Sequence, residues 1–162
     1  MSHLTTAQYQ AIKAAILADP ALAAQPQNSD GAFNIAVELN KVASPAFVVW
    51  KNSVTSKEVG EAMNSTEVGG LTTANTNRLL VMQAYSGDVF NPSRADTRAG
   101  FDSIFSASGG TLTRPALLAL YKRNATRFEK ILAIGTGSDA SPATMPVESP
   151  IDYSEIQIAR AS

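Results

Sequence analysis

The chain has 162 residues, 44% of them hydrophobic, which is enough for one domain burying about 70% of its unfolded surface without metal or disulfide support. Thirteen basic and fourteen acidic residues leave a formal charge of −1, which excludes a general electrostatic pull towards nucleic acid or anionic membrane but not a local basic ring. Cysteine is absent, which excludes disulfides, thiolate metal sites and cysteine nucleophiles.

The first residues carry no charged leader before an apolar run, and Lys13 and Asp19 interrupt the apolar positions, so neither a signal peptide nor a membrane span is expected there. Thr5 with Gln8 three residues on has capping-box spacing, and Tyr9, Ile12, Ile16 and Leu17 follow on one helical face. Asp19-Pro20 ends that helix, because the residue before proline is pushed out of the α region. "AFNIAVELNKV" reads as a second helix, with Phe33, Ile35, Ala36, Leu39 and Val42 as its buried positions. Phe47 to Trp50 form a continuous apolar run that suits a short strand or a buried turn of helix.

Thr55 and Glu58 form a second capping box, opening a helix through Met63. "LTTANTNRLLVMQAYSG" predicts a longer helix with Leu79, Leu80, Met82 and Tyr85 as contacts and a stop at Gly87. A further helix runs from the Asn91-Pro92-Ser93 turn to Gly109-Gly110, with Phe101, Ile104 and Phe105 as its apolar stripe. Thr113 is expected to cap the next helix, with Pro115 in its first turn and Leu117, Leu118, Leu120 and Tyr121 following. Thr126 with Glu129 makes a third capping box. Beyond Pro142 the composition turns to proline, strand-like alternation and a short final helix from Ser154. The two glycosylation sequons, at Asn64 and Asn124, read as turn and cap chemistry.

"GTGSDA", from Gly135, superficially suits a phosphate loop. No lysine follows either glycine as a Walker loop requires, and the order is helix then loop where a dinucleotide fingerprint needs strand then helix. A helix stop and linker is the expectation. The one histidine, His3, sits at the N-terminus, and a catalytic triad or histidine metal site would have to be built around it. Among the carboxylates, Asp96, Asp102, Asp139, Glu148, Asp152 and Glu155, no spacing selects a catalytic pair. No catalytic residue, cofactor or metal is expected. Arg94 with Arg98, and Lys122, Arg123, Arg127 and Lys130, read either as ordinary salt-bridged surface, paired with Asp96, Asp102 and Glu129, or as a basic strip facing DNA or an acidic partner.

The second half, "TRAGFDSIFSASGGTLTRPALLALYKRNATRFEKILAIGTGSDASPATMPVE", resembles small proteins of tailed bacteriophages that join head to tail. The run Arg98 to Phe105, Thr126-Arg127 with Glu129, and Gly135 to Ala143 carry the resemblance, and "ILADPALAA" followed by "AVELNKV" is similar in style. The resemblance implies a non-enzymatic virion protein of the neck, made in the host cytoplasm. Such connectors are mostly helical and form a ring, commonly of twelve subunits, between the portal protein and the next neck or tail protein, continuing the DNA channel. A tail-completion or other minor structural protein is the alternative, and a small carboxylate-using enzyme a more distant one.

The expected architecture is therefore mainly α: a compact bundle of short helices over residues 1–135, then a hinge and a short extended or β-hairpin-like C-terminal arm over 136–162. Ile151, Tyr153 and Ile156 in that arm, with Trp50, are the expected interface contacts, although Trp50 equally suits a core. Lys122, Arg123 and Lys130 are the expected DNA-channel residues.

Overall fold

A computed structural model describes residues 4–106 and 110–162, so the expectations placed on His3 and Gly109 lie outside the described residues. In chain order the elements are α1 (Thr6–Ala18), α2 (Pro20–Ala23), α3 (Ser29–Leu39), β1 (Val48–Trp50), β2 (Val54–Thr55), α4 (Ser56–Ala62) and α5 (Ser65–Gly69). Then come α6 (Thr73–Ser86), β3 (Val89–Phe90), α7 (Ala95–Ser106), α8 (Thr113–Leu120), β4 (Lys122–Asn124), α9 (Arg127–Leu132) and α10 (Tyr153–Ala161). The fold is mainly α, as expected.

Local chemistry sets the helix starts. Thr5, Thr55 and Thr126 each accept from the backbone three residues on while Gln8, Glu58 and Glu129 reach back, so all three capping boxes form. A fourth, Asp152 with Glu155, opens α10. Asp19 ends α1 in an extended conformation and caps α2, whose first residue is Pro20.

Two units divide the chain. Unit 1 comprises residues 1–49 and 124–162, and unit 2 residues 50–123, inserted between them. The boundary expected at 135/136 is not the one that contacts define, because the C-terminal segment belongs to the body of unit 1. There α10 packs on α3 and α1, and α9 packs on α1. Ile151, Ile156 and Ala159 join Ile12, Ile16, Ile35, Leu39 and Phe128 in one core. The Asn40 side chain fixes the approach of this segment, donating to the Ile151 carbonyl at 2.8 Å and accepting from its N–H at 3.0 Å.

The supposed hinge is also built in. Ile134 pairs with Thr144 in an antiparallel bridge, and Ser138 and Ser141 exchange backbone bonds of 3.2 Å, closing residues 134–144 as a turn. Gly137 has φ +66°, and a Cβ placed there would lie 2.2 Å from the Phe47 ring. A side chain is excluded there both by backbone conformation and by close packing.

Unit 2 has its own core of Val54, Val59, Leu79, Phe90, Phe101, Ile104, Phe105, Leu117 and Tyr121. Strands β2 and β3 pair antiparallel with Val54 opposite Phe90, while α6 packs on α7 and α4 on α8. The cap expected from Thr113 comes from elsewhere. Thr113 is the first residue of α8, and Leu112 before it supplies no side-chain cap. Glu67 of α5 fills that role, accepting from the Leu112 N–H at 2.9 Å and the Thr113 N–H at 2.8 Å.

Hydrogen bonds from the Thr113 hydroxyl and from these N–H groups hold the Glu67 carboxyl at a pKa of about 2, against an ordinary 4.5. A depressed carboxyl adds stability above its ordinary pKa and loses it as pH falls through the folded value. Glu67→Gln is therefore expected to lower the Tm by several degrees at neutral pH, with the gap from the wild type closing between pH 4.5 and about 2. A gap independent of pH in parallel thermal melts would remove the carboxylate cap from the account.

Candidate functional site

Of the expected interface residues, two are core. Ile151 is 2% exposed and Ile156 fully buried, because they fill the space between α1 and α3 in unit 1. Neither is available to another chain in this fold. Tyr153, in the first turn of α10, is half exposed and remains available. Trp50 is buried in unit 2, in line with the core alternative.

The basic candidates divide as well. Helix α8 stops at Leu120, and Lys122 and Arg123 both lie on β4, where successive side chains point to opposite faces. They do not form one strip. Lys130, exposed on α9 of unit 1, lies with its ammonium 5.6 Å from the Phe47 ring centroid. Arg127 pairs with Asp19 at 2.6 Å and Glu38 at 3.7 Å, not with the neighbouring Glu129. Arg94 does pair with Asp96, at 2.6 Å on the exposed surface.

Unit 2 contains a cavity that nothing in the sequence predicts. It has a volume of about 620 Å³, and Trp50, Arg98, Phe101, Leu117, Leu118 and Tyr121 are among the residues that line it. The Arg98 guanidinium lies over the Trp50 ring, 4.1 Å from its centroid, where the ring's negative face favours a cation. Arg98 donates to the Pro92 and Ser93 carbonyls but has no carboxylate ion-pair partner among the described residues. Burial lowers its pKa, though it stays far above neutrality. Across the groove, Arg114 is paired with Asp102 at 2.6 Å. The groove therefore combines an apolar lining with the Arg98 guanidinium, which has no ion-pair partner among the described residues. The sequence offered no local signal for it, because Trp50 and Arg98 meet only through folding.

Tyr121 is 2% exposed, and burial pushes its phenol well above its ordinary pKa. Its hydroxyl has no hydrogen-bond partner among the described residues. A buried unpaired hydroxyl costs about 1–3 kcal/mol, so Tyr121→Phe is expected to be neutral or to stabilise by roughly 1 kcal/mol. Urea unfolding checks this, and a clear loss of stability would mean that the hydroxyl has a partner when folded.

Several helices leave large apolar side chains outside. On α3, Phe33 is 59% exposed and Val37 46%, although Phe33 has the periodicity of a core position. Val42 and Leu17 are likewise outside, against expectation. In unit 2, Leu80, Val81 and Tyr85 of α6 and Val89 of β3 are also exposed, Tyr85 by 90%. Leu80 and Tyr85 were expected as contacts, but only Leu79 of that helix's large apolar residues is buried.

Charge divides between the units. Unit 2 carries eight basic and six acidic residues, and unit 1 five basic and eight acidic. Among the described residues no cluster of histidine and acidic side chains is placed to hold a metal, and no helix is long and apolar enough to cross a membrane. No family model, curated protein or solved structure matches this chain.

Proposed function

We propose that the protein is a structural virion component of a tailed phage, a head–tail connector that assembles as a ring between the portal and the tail. The observation that carries this reading is that each unit leaves large apolar side chains uncovered, on α3 in unit 1 and on α6 and β3 in unit 2. Apolar surface of this kind marks association sites in soluble proteins. The opposite charge balances add a direction to the association: a net acidic unit of one copy attracts a net basic unit of the next. Contacts between unlike surfaces are heterologous, and they close into a ring when the rotation permits. The resemblance of residues 97–148 to neck proteins supplies the setting, a ring around the DNA channel with Lys122, Arg123 and Lys130 among its DNA-facing candidates.

Electron microscopy of the full chain, alone and mixed with a purified portal ring, tests this reading. Closed rings of uniform diameter with a central opening are expected. Single particles of one chain in both samples would contradict it.

A further inference from the structure

The groove of unit 2 and the outer face of α3 each lack what the other has. The outer side of helix α3 carries Phe33 and Val37 among the polar residues Asp30, Asn34 and Glu38. Ala32, Ile35, Ala36 and Leu39 point into the unit 1 core, while Phe33 and Val37 point out. Asp30, in its first turn, shares the outward face with Phe33 and Val37 at the i, i+3, i+7 spacing by which helices dock into grooves. It is exposed, and no described residue bonds its carboxylate.

In the groove, the exposed Leu118 stands with the nearly buried Trp50, Phe101 and Leu117 near Arg98, which has no ion-pair partner among the described residues. We propose that the α3 face of one copy docks into the unit 2 groove of the next, Phe33 and Val37 packing against Leu118 and the apolar lining and Asp30 pairing with Arg98. The occupant is a second copy of this chain, because the exposed Asp30 carboxylate complements the Arg98 guanidinium, which has no ion-pair partner among the described residues, as a neutral apolar partner would not. Phe33 is exposed within its own chain, so a single copy leaves this face uncovered. The inference rests on the assembly reading and deepens it by naming the subunit contact.

The absence of cysteine allows a clean test on the full chain. Phe33→Cys and Leu118→Cys variants are purified separately, checked for native circular dichroism, mixed, and treated with a short bis-maleimide. Cross-linked dimers containing one chain of each variant are expected. Leu118→Cys alone should react several-fold more slowly with a bulky maleimide in the oligomer than after dilution to monomers, because the groove is then filled. Asp30→Lys, at an exposed position outside the core, should reduce the oligomer to smaller species while leaving the fold intact. An oligomer that yields only like-with-like cross-links, or whose Leu118→Cys stays fully reactive, overturns the docking and leaves the groove to another partner. A chain that stays monomeric under all conditions overturns both the docking and self-assembly.

Discussion

Deleting residues 138–162 is expected to unfold unit 1, not to trim a dispensable arm. The deletion removes Ile151, Ile156 and Ala159 from the core that they share with Ile12, Ile35 and Phe128. It also removes both hydrogen bonds of the Asn40 side chain to Ile151 and the Arg160 bonds of 2.8 Å to the Gln25 and Pro26 carbonyls. Burial of each large aliphatic side chain is worth several kcal/mol against a total stability of only about 5–15 kcal/mol, so losing the segment exceeds the margin. The single change Ile156→Ala, at a fully buried position, is expected to cost about 2–5 kcal/mol. Circular dichroism and limited proteolysis check the deletion. A truncated chain that keeps its helix content and a cooperative melt would contradict the placement of α10 in the core. An assembly defect in the truncated chain therefore does not by itself show that this segment touches a neighbour.

Phe101→Ala should be the most damaging single change in unit 2. Phe101 is 2% exposed, meets the Phe90 ring edge-on at 5.1 Å, and lies 6.0 Å from Tyr121 at a tilt. Removing it leaves a cavity beneath the groove and costs about 3–5 kcal/mol, including the aromatic pair. Unfolding followed through the environment of Trp50, the single tryptophan, reports the loss. A midpoint within error of the wild type would mean that the two rings do not pack as described.

Chemistry confined to four consecutive residues was legible in the sequence. The boxes opened by Thr5, Thr55 and Thr126 form, and the same spacing would have found Asp152 with Glu155, where an aspartate replaces the threonine. Which apolar face of a helix is covered was not legible. Ile35 and Phe33 are both good core residues on α3, and Leu79 and Leu80 are adjacent on α6; only the tertiary arrangement decides which is enclosed. Glu67 capping α8 and Arg98 over Trp50 depend on residues more than forty positions apart, beyond any local pattern. Gly135 and Gly137 suggested a hinge by composition, yet Gly137 is required because the Phe47 ring lies where its side chain would be. The groove was invisible for the same reason, since its apolar lining and its charge come from separate segments.

The proposed assembly runs through surfaces that a single chain leaves uncovered. Light scattering across a concentration series gives the mass of the 162-residue chain in solution and decides whether it forms. A single large oligomer of fixed stoichiometry is the predicted result, with no intermediate dominating, as closure of a ring requires. A monomer at every concentration, with Phe33 and Tyr85 still exposed to solvent, would contradict self-assembly.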